Sequence, residues 1–394
     1  MAKRNNLTIS WWNNIAKKWR DLLLFNIDFV KNKPKEFNYY IGESNVYNYN
    51  QIIGKKYNKP KYIDISHELK KLTNLNEFYI DKTFTLELHP LSKLINLEQL
   101  FIFENNRSLK PLSRLINLKT LELAHNIEPL DSIANLTQLE TLYLIYSNLN
   151  LTPLSNLTSL QELIVTNNQQ DLNPLKKLFK LRRLELIGNT MNLTPLTNLT
   201  QLQYLNLSCN SQDLTPLANL TRLKELVLVW NKSDLSPLSN LKNLEDLYLG
   251  DNFQDLTFIT GLTKLKTLSM RKNEQELAPL ADLKTLTSLD MQHNNKPLNS
   301  ISNLKHLKKL NVSYNTHDLS PIAQLIQLQE LRVSKDQNLS PIKELIEVIK
   351  QNGGKVLIND MENFYKFDEE FENVKLTPLN EIFDDMFDHE TTLF

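Results

Sequence analysis

The residues able to do chemistry are few and badly placed for it. The chain holds seven histidines (His67, His89, His125, His293, His306, His317 and His389) and one cysteine, Cys209. No pair of histidines has the HExxH spacing that sets two imidazoles on one helical face around zinc; His67 is followed by Glu68, but Lys71 stands where the second ligand is needed. Cys209 precedes Asn210 and has no histidine near it in the chain, so no general base is at hand to make a thiolate. No glycine-rich phosphate loop occurs. No catalytic residue, metal site or cofactor is expected.

The bulk composition sets the frame for these residues. With 41% apolar and 23% charged residues the chain reads as soluble and folded, one cysteine forbids an intrachain disulfide, and the cytoplasm is the expected compartment. No signal segment or membrane span is expected, although export as an effector by another route stays open. The seven glycines suggest that few turns need left-handed backbone. The formal net charge of zero hides opposite poles: residues 1 to 61 hold 12 Lys or Arg against 4 Asp or Glu, and residues 360 to 394 hold 2 against 11.

Between the poles the sequence repeats as LxxLxLxxNxxxLxPLxxLxx with a period of 21. Leu100, Leu121, Leu142, Leu163, Leu184, Leu205, Leu226, Leu247, Leu268, Leu289, Leu310 and Leu331 recur at that interval without insertion, and Phe78 opens an earlier, slightly longer unit, making 13 repeats. The second strand leucine, as in Leu123, Leu207 and Leu228, points inward with the first, and one repeat cannot bury that face alone. Asparagines such as Asn126, Asn168, Asn189 and Asn231 follow, and their amides can answer backbone groups where the chain leaves the sheet. Ser147 and Asp336 interrupt this ladder, and both are short polar groups able to replace it in part. Prolines in segments such as Asp213 to Leu217 suit the start of a one-turn helix.

This pattern resembles the leucine-rich repeat superfamily, in the short-repeat manner of the internalin-like bacterial proteins. The resemblance implies an α/β solenoid, a horseshoe with a concave parallel β-sheet and short convex 3-10 or α turns. It also implies protein binding more often than catalysis. The domains expected are a basic, aromatic N-terminal region (1–69) with a helical cap, a solenoid (70–346), and a C-terminal cap with an acidic aromatic tail (347–394). Ser10 is placed to cap a helix in which Trp12, Ile15, Trp19 and Leu22 share a face. Tyr62 to Ile65 reads as an atypical first strand, Ile342 to Ile349 as a longer helix, Gly353-Gly354 as a turn and Lys355 to Ile358 as a last strand. Aromatic residues including Phe364, Tyr365, Phe367, Phe371, Phe383 and Phe387 interleave the acidic tail, which argues against a purely solvating role.

With the strand leucines assigned to the core, the residues between and after them form columns on the other face. Unlike the leucines they vary. Phe101, Phe103, Tyr143, Ile145, Tyr146 and Ile164 gather in the first half, and Val227, Val229, Trp230 and Tyr248 form a second patch; at about 4.8 Å per strand the two span roughly 30 to 35 Å, the scale of a protein interface. Valine and isoleucine also stabilise a sheet by cross-strand packing, so Tyr146 and Trp230, at the strand exit, carry more of the argument. His125 and His293 stand eight repeats apart, about 38 Å by that spacing, too far to share a metal; Glu122 and Glu185 are about 14 Å apart, too wide for a glycosidase pair. A non-enzymatic scaffold binding a protein or peptide on the concave face is the leading expectation. Self-association through the oppositely charged ends is the alternative. Nucleic acid is disfavoured because Glu122, Glu185 and Asp290 interrupt any positive track.

Overall fold

The computed structural model describes residues 7, 9–32, 71–80 and 86–359. They fall into two compact units. Residues 7, 9–32 and 71–75 belong to the smaller, and residues 76–80 and 86–359 to the larger. The expected strand at Tyr62 to Ile65 and the acidic aromatic tail from Asp360 lie outside the described residues.

In the smaller unit the expected single N-terminal helix is two: α1 (Ile9–Asn14) and α2 (Lys17–Asn32), with the break at Ile15 and Ala16. Ser10 therefore lies within α1 and caps nothing, and its hydroxyl instead meets the Asn14 amide at 3.5 Å. The break resets the phase of the apolar stripe. Trp12, Trp19, Leu23 and Asn26 are buried, while Ile15 and Leu22 are only half-buried, so in α2 the buried residues step as 19, 23 and 26. Asn26 answers its own burial by donating to the Leu22 carbonyl at 3.0 Å.

The larger unit is one parallel sheet of 14 strands, β1 to β14, paired strictly in chain order. Its members are β1 (Glu77–Ile80), β2 (Gln99–Phe103), β3 (Thr120–Ala124), β4 (Thr141–Ile145), β5 (Glu162–Thr166), β6 (Arg183–Ile187) and β7 (Tyr204–Asn206). They continue as β8 (Glu225–Val227), β9 (Asp246–Tyr248), β10 (Thr267–Ser269), β11 (Ser288–Asp290), β12 (Lys309–Asn311), β13 (Glu330–Ser334) and β14 (Lys355–Asn359). Register is leucine on leucine: Leu100 pairs with Leu121, Leu121 with Leu142, Leu226 with Leu247. Phe78 opposite Leu100 brings the longer first unit into the same frame.

Parallel strands need a crossover, and from β2 to β13 each is a short 3-10 turn rather than a long helix. Proline sits at the start of most of these turns, where its missing N–H costs nothing. Just ahead of it a side-chain oxygen accepts a backbone N–H: Asp213 from Thr215 at 2.9 Å and Asp234 from Ser236 at 3.0 Å. The turn leucines and both strand leucines fill one continuous core, with Leu217, Leu220, Leu223, Leu226 and Leu228 all at 0% exposure. Burying a leucine is worth about 1.5–3 kcal/mol. Neighbouring repeats supply most of the walls, so no single turn of the coil stands alone.

The asparagine ladder works from both ends of the amide at Asn168 and Asn189, and through the oxygen alone at Asn210, Asn231, Asn252 and Asn273. Its oxygen accepts the backbone N–H two residues on, from Gln170, Gln212, Ser233 and Gln254 at 2.8 to 2.9 Å. Its Nδ2 reaches the preceding repeat, as where Asn189 donates to the Asn168 carbonyl at 2.8 Å and Asn168 to the Ser147 carbonyl at 3.0 Å. Ser147 replaces an asparagine as expected: its hydroxyl accepts the Asn126 N–H at 3.1 Å and donates to the Ile145 carbonyl at 3.0 Å. Asp336 does not. It is exposed, and Gln337 takes the place, donating to the carbonyls of Asn315 (2.7 Å) and Val312 (2.9 Å) and accepting the Ser334 N–H at 2.7 Å. The longer glutamine side chain reaches inward from one position later.

The scarcity of glycine misleads about the backbone. Glu104, His125, Tyr146, Asn167, Cys209, Trp230, Asp251, Lys272, His293 and Tyr314 all have φ between +50 and +62, and Gly188 completes their series at +67. Left-handed backbone costs an ordinary residue about 1–2 kcal/mol. Here the bonds to the next strand hold it, as where His125 N–H meets the Ile145 carbonyl at 2.8 Å and Trp230 N–H meets the Gly250 carbonyl at 3.0 Å. At the far end α3 (Lys343–Gln351), the turn at Gly353 (φ +76) and β14 all appear where expected, and β14 pairs with β13 in register. The helix spans the expected boundary at residue 346, and β14 lies within the expected C-terminal region.

Candidate protein-binding face

Strand alternation sends Leu226 and Leu228 into the core and Glu225, Val227 and Val229 to the opposite, open face of the sheet. Repeated in register, this makes three columns, with a fourth at the left-handed exit. Phe101, Tyr143, Ile164, Val227 and Tyr248 lie in the column between the strand leucines, and Phe103, Ile145 and Val229 in the next. Tyr146 and Trp230 stand at the exit, where the positive φ swings their side chains out of the pleat.

The expected site residues differ in depth. Tyr146, Val229, Trp230 and Tyr248 keep part of their surface in solvent. Phe101, Phe103, Tyr143, Ile145, Ile164 and Val227 are buried. Rings stack along the columns at the repeat spacing: Tyr79 on Phe101 at 4.7 Å, His125 on Tyr146 at 4.9 Å and His293 on Tyr314 at 4.4 Å. His125 and His293 are thereby partners of tyrosines one strand away. Cys209 is half-buried and burial pushes its thiol up to about 11, which keeps it protonated. Among the described residues no group of three or more His, Cys, Asp or Glu is placed to hold a metal ion, and no helix is long and apolar enough to cross a membrane.

A further column is the residue just before the first strand leucine, whose acids Glu162, Glu225, Asp246 and Glu330 the sequence places beside the concave surface without a binding role. It carries Glu162, Arg183, Tyr204, Glu225 and Asp246 on successive strands β5 to β9. Arg183 is the centre of this group: its Nε lies 3.2 Å from Glu162, a second nitrogen hydrogen-bonds the buried Glu185, and its guanidinium covers the Tyr204 ring at 3.6 Å. Glu225 is different. Burial, and then the adjacent Asp246 charge, push its carboxyl up to about 7, against the smaller pull of Arg183. Burial and the charges of Glu225 and Asp246 likewise drive the Tyr248 hydroxyl upward. Further along β3, Glu122 is 1% exposed between its register neighbours Phe101 and Tyr143, neither of its oxygens has a hydrogen-bond partner, and burial pushes it up to about 8.

An internalin of Listeria monocytogenes is similar to this chain at 30% identity, over 66% of this chain and 88% of that one, with a TM-score of 0.55. The chain belongs to the leucine-rich repeat superfamily. A leucine-rich repeat protein of Leptospira interrogans shares the fold at 21% identity, over 76% of this chain and 93% of that one, with a TM-score of 0.60. So does TLR13, solved as a complex with ssRNA13, at 21% identity over 73% of this chain and 51% of that one, with a TM-score of 0.54. No protein-family model and no curated protein matches the chain. As in any leucine-rich repeat protein, what the fold supplies is a regular sheet face, and its chemistry is whatever the columns carry.

Proposed function

We propose that the chain is a non-enzymatic protein-binding scaffold of internalin-like type, curved so that the open face of its sheet is concave and receives a protein or peptide. In the site we assign, Tyr146, Val229, Trp230 and Tyr248 keep surface for contact, and the buried Phe101, Phe103, Tyr143, Ile145, Ile164 and Val227 back them. The observation that carries this reading is the placement of Tyr146 and Trp230 at left-handed positions. A glycine would relieve the backbone there, and the equivalent positions of other repeats carry Glu104, Asn167, Cys209, Asp251 and Lys272, so the turn itself does not call for a ring. Large rings kept at a conformational cost on a face with varied neighbours are what a contact surface calls for. The similarity to an internalin supports the same reading.

The test begins with capture of a stoichiometric partner from cells of the source organism and its purification. Trp230→Ala and Tyr146→Ala are then titrated against it, with circular dichroism to establish that the sheet is intact. Loss of about tenfold or more in affinity at either position is expected of a hot spot. Unchanged affinity at both would remove this site.

A further inference from the structure

The open face is unevenly charged, and its unbalanced part is local. Across β2 to β9 its three columns hold five carboxylates, Glu122, Glu162, Glu185, Glu225 and Asp246, against the single cation Arg183. Arg183 is engaged by Glu162 and Glu185. Beyond β9 the acids are matched: Asp290 by Arg271 at 2.6 Å and Glu330 by Arg332 at 2.8 Å. Glu225 and Asp246 are register partners on adjacent strands, half-buried, and neither has a described cation within salt-bridge distance. Lys224 and Lys266, which flank them, are both engaged by Glu245, at 3.9 and 2.5 Å. Two like charges about 4.8 Å apart on a partly desolvated sheet repel, and the repulsion is relieved by a cation placed between them.

We propose that the Glu225–Asp246 pair, with the part-exposed Tyr248 beside it on β9, receives an arginine or lysine side chain from a basic segment of the partner protein. This rests on the reading of the open face as a protein-binding surface and adds the chemistry of what binds there. The Tyr248 ring offers a face to the cation and its aliphatic stem, and the carboxylates offer a bidentate or bridging acceptor. Trp230 and Val229, one step further along the same strand, supply apolar contact for the residues that flank the basic side chain.

The experiment uses the full chain and two fluorescent probes, a peptide of alternating arginine and leucine and its glutamate counterpart, followed by anisotropy at pH about 8 and about 50 mM salt. Glu225→Gln combined with Asp246→Asn is compared with a control pair, Glu274→Gln with Asp282→Asn, which removes the same charge from exposed places off this face. Expected are binding of the arginine peptide alone and an affinity loss of about tenfold in the site pair but not in the control pair. Equal losses in the two pairs, or equal binding of the glutamate peptide, would overturn the assignment. Should Trp230→Ala weaken the purified partner while the site pair leaves both partner and arginine peptide unaffected, the open-face reading survives and this one fails. Sedimentation of the chain alone covers the other occupant: a dimer that the site pair dissolves would put a second copy in place of a partner.

Discussion

Glu122→Gln gives the sharpest energetic test of the open face. The wild-type carboxyl is buried between the positions of Phe101 and Tyr143 without a donor on either oxygen. Burial moves it from an ordinary 4.5 to about 8. The unfolded chain gives up this proton near 4.5 while the folded chain holds it to about 8, so native stability is full below 4.5 and falls as pH rises through that window. At about 1.36 kcal/mol per pH unit the loss is under 1 kcal/mol at pH 5, about 3 by pH 7 and about 4–5 above pH 8. Glutamine keeps the shape and cannot ionise, so the stability of the variant relative to wild type rises by about 3–4 kcal/mol between pH 5 and 8. Urea denaturation followed by circular dichroism at several pH values in that range measures the difference directly. A difference that stays constant within about 1 kcal/mol from pH 5 to 8 would refute the placement of an unpaired carboxyl there.

Further outcomes follow from the backbone and the ladder. Gly250 has ordinary φ, and an added Cβ meets the Val229 methyls at 3.6 and 3.8 Å, so Gly250→Ala should stabilise by about 0.4–1 kcal/mol in denaturant titration. Gly188 has φ +67 and its added Cβ falls 2.5 Å from Asn167 Oδ1, so Gly188→Ala should destabilise by about 1 kcal/mol or more in the same assay. Gln337→Ala removes the side-chain donor to the Asn315 carbonyl and one of two donors to the Val312 carbonyl and should cost about 1–3 kcal/mol, whereas Asp336→Ala should be neutral within about 0.5 kcal/mol. A disulfide thiol reagent should modify Cys209 far more slowly than free cysteine at neutral pH, with the rate climbing as pH approaches about 11; a rate matching free cysteine would contradict its burial.

The parts of this fold that sequence shows plainly are those where one position has one job. Leu226 and Leu228 touch only core, Asn189 answers backbone at a fixed step, and the proline turns start where an N–H is dispensable, so their spacing alone reveals them. What sequence hides depends on residues a full repeat away. Glu122 looks like a surface acid until Phe101 and Tyr143 are laid on either side of it. The left-handed exit is hidden for a related reason: the next strand imposes it, so Trp230 and His125 adopt what their own preferences oppose. The column of Glu225 and Asp246 was legible, since alternation places the residue before the first leucine on the same side as the residue after it.

The leucine register sets the size of the steps in which this surface can change. Because Leu100, Leu121 and Leu142 face one another with no offset, adding or deleting a whole unit of 21 residues leaves every remaining side chain aimed as before. The separation between any two groups on the sheet then changes only in increments of about 4.8 Å. The molecule is in this sense a ruler, whose graduations are set by the core and whose markings are written by the residues the core ignores. A lineage could retune the reach between the Tyr146 and Trp230 clusters by recombination between identical frames, with no strand redesigned.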